Sequence, residues 1–266
     1  MASFKPHHLS IGPEHTQGNG GVGRLFFLPG SDGRARRIAE RFTDVEEVGS
    51  DRQLNVHLGR VPTEAGPVDV GAVATGMGCP SLDIVATELI LLGARTLIRV
   101  GTAGSMQPDR VRVGDLVVAT AAVRDEGTSD RYVGVEYPAI ADPDVVRALE
   151  SAAARSGMGE RTFSGVVHTK DSLFAREMGH GPLQEANRAY MEQLHGLGVL
   201  ASEMESAHLF VLSHVHSGAA SAARIRAGAL LAIIGDQTAF AAKEQAAVAE
   251  KAAIDVAIES AADLAG

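Results

Sequence analysis

Residues 226–234 read RAGALLAII, and after the opening arginine no polar side chain interrupts the run. A strand with one face in water alternates apolar and polar residues with a period of two; this segment does not. Read as a strand, it must be covered on both faces. Residues 24–30 (RLFFLPG), 68–75 (VDVGAVAT) and 96–100 (TLIRV) are also largely apolar without strict alternation. Further strands are predicted at 116–123 and 164–168, with another short one after Arg52. Helical patterns fall between them at 34–42, 82–92, 144–156 and 183–195, then from the 203–205 acidic pair to about 216, and from 241 to 264. Apolar strands alternating with helices imply a sheet with helices on both sides, an α/β chain of three layers.

The chain has 266 residues, 45% of them hydrophobic, which suffices for one large α/β domain or two small ones. No repeat, low-complexity linker or charge-block boundary divides it, so one domain over 1–266 is the simplest organisation. A net charge of −9 argues against DNA or RNA as the main partner, while local arginines can still hold a small anion. Cys79 is the only cysteine, so no internal disulfide forms, and a reducing cytoplasm is the expected setting. The opening MASFKPHHLSIGPEH lacks the apolar core of a signal peptide, and no apolar run reaches the ~18 residues of a membrane span.

Chemistry gathers at strand ends. In Pro29-Gly30-Ser31-Asp32-Gly33-Arg34, a glycine turn feeds a helix that Ser31 or Asp32 can cap. Free backbone N–H groups and the Arg34 fork there can hold an anion, or the glycine serves only the turn. In Arg99-Val100-Gly101-Thr102-Ala103-Gly104, an arginine lies inside an apolar strand that runs into a Gly-Thr-x-Gly loop. Such a charge is costly unless it pairs with a buried acid or binds a ligand, and the sequence leaves both open. Ser202-Glu203-Met204-Glu205 fits the S-x-x-E capping box of a helix start. Nothing intrinsic marks Ser50-Asp51-Arg52. His214 and His216 point to different helix faces, and His7-His8 lacks partners at ligand spacing, so no catalytic metal is expected.

Taken together, PGSDGR, VATGMGCPS, LIRVGTAG, the EGTS…EYPAIAD run over 126–142 and ASEMESA follow the motif order of the nucleoside phosphorylase-I family, which this chain resembles from His8 to its last helix. Its uridine phosphorylase branch is the most similar. The resemblance implies a three-layer α/β/α fold with a central mixed, partly barrel-like sheet. It also implies reversible phosphorolysis of a nucleoside to free base and (deoxy)ribose 1-phosphate, with inorganic phosphate as co-substrate and no other cofactor. Gly30, Arg34, Arg99 and Thr102 match the family's phosphate positions, and Arg52 matches an arginine given by a neighbouring subunit. His8 matches a histidine that reaches across the interface to the sugar 5′-hydroxyl. Met204 and Glu205, with Glu203 beside them, match the ribose site, where a carboxylate accepts from the 2′,3′-diol. Active sites shared in this way imply a dimer, or a ring of three dimers. On this reading Arg99→Ala abolishes phosphorolysis and leaves the fold largely intact.

The base-reading segment departs from the uridine branch. Residues 171–179 read DSLFAREMG, so Glu177 and Gly179 stand where that branch has Gln-x-Arg, and Leu173 replaces its stacking phenylalanine unless Phe174 takes over. Arg176, Glu177 and Gln184 are the candidate base readers, an exposed loop being the other reading. Asp236 stands where purine-specific relatives carry an acid; it is a general acid or the cap of the following helix. Gln53 replaces a glutamate that holds a monovalent cation in some uridine phosphorylases. A purine nucleoside phosphorylase is therefore the second reading, and a nucleosidase of the same fold, which uses water, the third.

Overall fold

The computed structural model describes residues 4–218, 223–236 and 239–265. Its elements are β1 (Leu25–Leu28), α1 (Asp32–Ala39), β2 (Thr43–Val48), β3 (Val56–Val61), β4 (Val68–Val73), α2 (Cys79–Leu92), β5 (Thr96–Ser105), β6 (Leu116–Asp125), β7 (Ala139–Ile140), α3 (Pro143–Arg155), β8 (Thr162–Lys170), α4 (Leu173–Arg176), α5 (Gln184–Gly196), β9 (Ala201–Glu203), α6 (Ser206–His216), β10 (Arg226–Asp236), α7 (Lys243–Glu259) and α8 (Ala261–Leu264). The strands form one sheet in the order β10-β6-β8-β9-β5-β1-β4-β3-β2, with β7 beside β6. A further pairing of β10 with β5 closes the first five into a barrel. The sheet is mixed: β1–β4, β1–β5, β5–β10, β6–β8 and β8–β9 are parallel, whereas β5–β9, β6–β10 and β3–β4 are antiparallel. The α/β class and the partly barrel-like sheet are as expected.

The period of two sorts each central strand into two cores. Phe26 and Leu28 of β1, Leu97 of β5 and Leu231 of β10 pack with Leu82 and Leu89 of α2 and Phe210 of α6. Their neighbours Leu25, Phe27, Ile98 and Leu230 pack with Ile38 of α1, Leu149 of α3 and Ile254 of α7. Full burial of each such side chain contributes about 1.5–3 kcal/mol, which is why these strands carry no polar alternation. Residues 206–213 of α6 are all buried, because the helix is enclosed by α2 and the strands it crosses. Among the described residues, no helix is long and apolar enough to cross a membrane.

Three expectations need correction. Gly101-Thr102-Ala103-Gly104 is not a loop: β5 continues to Ser105, because β10 and β9 pair with it along that length. Glu203 belongs to a strand and α6 begins only at Ser206, so the acidic pair precedes the helix. The unforeseen strand β2, TDVEEV, is exposed along nearly its whole length at the sheet edge, so no apolar pattern announces it.

Sheet and helix approach so closely at Gly228 of β10 that an added Cβ would overlap Val145 Cγ1 of α3. We expect Gly228→Ala to cost about 1–3 kcal/mol by overpacking. Gly196→Ala, with nothing within 4 Å of the added carbon, should stay within about 0.5 kcal/mol of the parent. Urea unfolding midpoints of the two variants measure the difference.

Candidate active site

The chain leaving β1, β4, β8, β9 and β10 converges on a cavity of about 730 Å³. Gly30 lies at its wall because it comes so near Gly76 that a Cβ would sit 3.3 Å from the Gly76 carbonyl. Ser31 is the N-cap of α1, as one of the two sequence readings had it, and its Oγ accepts the Arg34 N–H. Arg34 therefore stands in the first turn, with a buried guanidinium that lines the cavity. Its Nη2 is 3.1 Å from Glu250 of α7, and its Nη1 reaches the Val100 carbonyl at 3.4 Å. Arg37 shares Glu250, and the two cations outweigh burial to hold that carboxyl below its usual range.

Arg99 points from β5 into the same cavity and is 4% exposed. Its Nε donates to Glu203 Oε2 at 2.9 Å, and its Nη2 pairs with Glu205 Oε2. The ion-pair reading of this strand arginine is thus realised. Nη1, however, is buried without a hydrogen-bond partner among the described residues. A Cβ at Gly101 would fall 2.9 Å from Nη2, so the glycine makes room for the guanidinium. Thr102, the next residue, lines the cavity.

The acidic pair serves two helix ends. Glu203 accepts the N–H groups of Glu205 at 2.9 Å and Ser206 at 3.0 Å, capping α6 with its own carboxylate; Ser202 does not form the expected capping box. Thr169 Oγ1 also donates to it. Glu205 Oε1 accepts from the Gly78 N–H at 2.6 Å, at the N-terminus of α2, where the helix dipole favours an anion. Burial acts against both charges. For Glu203, Arg99 and these donors overcome it and hold the carboxyl below its usual range. For Glu205, burial together with the neighbouring Glu203 charge prevails over Arg99 and raises it. Met204 lies between them on the cavity wall, its carbonyl accepting from Cys79 Sγ at 3.2 Å.

Base-reading candidates separate by helix geometry. One turn of α4 brings Leu173 and Glu177, four residues apart, to the cavity. Phe174 points elsewhere, 61% exposed, and stacks edge-on with His180. Arg176 turns to Asp125 and Asn187, each at 2.7 Å, and Gln184 is exposed at the start of α5. Phe174, Arg176 and Gln184 thus do not line the cavity, whereas Glu177 does. Asp236 does line it, and its Oδ1 accepts the Ala239 N–H, so it stabilises the turn after β10; α7 starts further on, at Lys243. His8 and Arg52 do not line the cavity of their own chain. His8 Nδ1 is 2.9 Å from Glu88, whose carboxylate gathers the N–H groups of residues 7, 8 and 9.

Sequence reasoning missed Lys170, Met178 and Phe240 on the cavity wall. Phe240 is 60% exposed, and an isolated bridge pairs it with Gly235; the available signal was an aromatic residue just past β10 in a chain with only 4% of them. Cys79, Glu126 and Asp171 bring possible metal ligands within 4.8 Å of one another. Burial and the surrounding carboxylates push the Cys79 thiol far up, which opposes a thiolate ligand. Glu126 accepts from the Thr128 and Ser129 amides and Asp171 from Gly127, so both acids already bind backbone.

One strand-end cavity thus brings Arg34 and Arg99 together with Thr102, Met204 and Glu205. The chain belongs to the Phosphorylase superfamily, whose family profile matches residues 24–265. It is 41% identical to a uridine phosphorylase of Treponema pallidum over 82% of this chain and 79% of that one. It is 34% identical to a uridine phosphorylase of Thermococcus kodakarensis, over 87% and 77% of the two chains. Identity is also 34% to a guanosine phosphorylase of Halorubrum lacusprofundi, over 83% and 81%.

Because Glu203 holds Arg99 and caps α6 together, we expect Glu203→Gln to cost about 3 kcal/mol. Glu205→Gln, which removes a charge that burial disfavours, should cost about 1 kcal/mol or less. Glu203's depressed value makes its ionised form stabilising above the ordinary glutamate range near pH 4.3. That contribution is lost as pH falls through the lower folded value. Chemical denaturation from pH 3 to 7 should show the gap between wild type and Glu203→Gln narrowing on the acid side.

Proposed function

We propose that this protein is a nucleoside phosphorylase of the uridine type, a pentosyltransferase whose single domain over 1–266 converts nucleoside and phosphate to base and (deoxy)ribose 1-phosphate. One observation carries the reading: in a Phosphorylase superfamily chain, Arg34 and Arg99 share a cavity with Met204 and Glu205. The roles follow from chemistry. Gly30, Arg34, Arg99 and Thr102 hold phosphate, with Arg52 from a second copy. Arg99 Nη1 is a buried donor suited to a phosphate oxygen. Glu205 accepts the Gly78 N–H at Oε1 and is ion-paired with Arg99 at Oε2, and the remaining lone pairs receive the ribose diol while Met204 lies under the ring. His8 of a second copy reaches the 5′-hydroxyl.

Breaking the glycosidic bond builds positive charge at C1′, and the positioned phosphate both attacks that carbon and stabilises its charge. Inorganic phosphate is the co-substrate, and no organic cofactor enters. Retention of two cavity arginines favours phosphate over water as the acceptor. The identity to a guanosine phosphorylase, with Asp236 on the cavity wall, supports purine nucleosides as the second substrate class.

Arg99→Ala is a poor test, because two buried carboxylates would lose their cation. Arg34→Ala is better, since Glu250 keeps Arg37. We expect kcat/KM for phosphate to fall about 100-fold or more, as for other lost charge-stabilising donors, with little change in thermal stability. Assays of uridine and inosine with and without phosphate complete the test. Base release that proceeds equally well when phosphate is omitted would establish hydrolysis instead.

A further inference from the structure

Lys170 is 2% exposed, yet it lines the cavity. It ends β8, and the sheet order β5-β9-β8 places its strand two strands from that of Arg99, about 10 Å at ordinary strand spacing. Glu203 lies on the strand between. Lys170 is thus a second cationic position, distinct from the arginine cluster. Its Nζ donates to Ser202 Oγ at 2.9 Å and sits 3.0 Å from Glu177 Oε1. The third contact, to the Glu203 carbonyl, is 3.5 Å, at the limit of a hydrogen bond. An ammonium has three donors and no acceptor, so one donor is poorly used.

A chain of partners fixes this ammonium in place. Ser202 Oγ accepts from Lys170, which leaves its own O–H to donate to His168 Nδ1 at 2.9 Å. His168 is fully buried, and its Nε2 faces Asp125 Oδ2 at 2.9 Å, so the tautomer carrying hydrogen on Nε2 satisfies both contacts. Asp125 is clamped in turn by Arg176 at 2.7 Å, and Arg176 lies 4.5 Å over the Tyr190 ring. Burial opposes the Asp125 charge, but His168 and Arg176 hold its carboxyl below the usual range. A buried network with this many satisfied members fixes geometry; a surface lysine would have none of it.

Along the cavity wall beside Lys170 and Glu177 stand Leu173, Met178 and Ile234, an apolar lining suited to a flat ring. The Lys170–Glu177 pair offers a donor next to an acceptor. That pattern complements a ring carbonyl beside a ring N–H, the edge common to uracil and the 6-oxopurines. Amino-substituted bases such as cytosine and adenine present the reverse order. Building on the phosphorylase reading, we propose that Lys170 is the catalytic and specificity-determining cation for the base. Its ammonium donates to a ring carbonyl oxygen while Glu177 accepts the adjacent N–H. As the C1′–N bond breaks, its electron pair enters the base and delocalises onto that oxygen, beside the Lys170 charge. The C1′–O bond to phosphate forms, and the departing base takes its proton from water. Ser202, His168 and Asp125 are positioning residues that act through Lys170.

The test measures dependence on the leaving group. Lys170→Met and Ser202→Ala are compared with wild type on uridine and 5-fluorouridine or, if the wild type cleaves inosine instead, on inosine and 7-methylinosine. Each analogue carries a base that needs less stabilisation as it departs. We expect kcat/KM of Lys170→Met to fall about 100-fold or more on the natural nucleoside and about 10-fold or less on the activated one. Ser202→Ala, which keeps the charge but loses its anchor, should fall about 10-fold with the same pattern, and it carries the test if Lys170→Met does not fold. Equal losses on both nucleosides would reduce Lys170 to a structural role, and unchanged kinetics would remove it from the reaction; either overturns the proposal while the phosphorylase reading stands. A wild type that releases base without phosphate overturns that reading and this proposal together.

Discussion

A guanidinium buried in an apolar strand is the constraint from which the site follows. Desolvating Arg99 costs several kcal/mol, and attraction to Glu203 and Glu205 offsets that cost only when the geometry is good. Each acid then brings its own desolvation cost. The fold offsets it with backbone N–H groups at two helix starts, Glu205 and Ser206 at the start of α6 and Gly78 ahead of α2. One cation cannot compensate two carboxylates equally, and they diverge: Glu203, with the larger set of donors, is depressed and Glu205 is raised. The first acid belongs to the architecture. The second lines the cavity with one oxygen, Oε2, that accepts no hydrogen bond among the described residues.

That division explains why a short strand lies where a helix was expected. Three residues of β9 bridge β5 and β8, and the pairings Ser202–Gly104 and Thr169–Glu203 bring Glu203 between Arg99 and Thr169. Had α6 begun at Ser202, its first turn would have taken Glu203 out of the sheet. Closure of the barrel through β10 likewise requires β5 to stay extended past Arg99. Barrel and ion pair therefore depend on the same ten residues of β5.

Much of the fold was legible because burial on both faces erases alternation, as RAGALLAII and TLIRV show. The class of site was legible in the motif order, and Gly30, Arg34, Arg99, Thr102, Met204 and Glu205 share one cavity. What escaped has physical causes. Small residues in Gly101–Gly104 resemble a loop, and only pairing with β10 across the barrel makes them strand. Edge strand β2 buries almost nothing and so leaves no pattern. Phe174 and Leu173 are equally plausible by composition; the start of α4 decides which faces inward. Lys170 was hidden because Ser202 lies far along the chain and meets it only through the β8–β9 register, while Glu177 is turned back to it only by α4.

Under the proposed reaction, the groups assigned to phosphate and to ribose meet at one guanidinium. Arg99 is ion-paired with Glu205, so a phosphate oxygen that takes up Arg99 donors would weaken the hold on that carboxylate and leave its lone pairs freer to accept the diol. Each ligand then changes the environment the other meets, and linkage requires the effect to be reciprocal. Glu203 keeps Arg99 in place throughout, because its bond is to Nε and its oxygens are also held by α6. A single lysine in place of Arg99 could not do this. It has one nitrogen, whereas the guanidinium meets Glu203 through Nε and Glu205 through Nη2 and still has Nη1 for the phosphate of the proposed reaction.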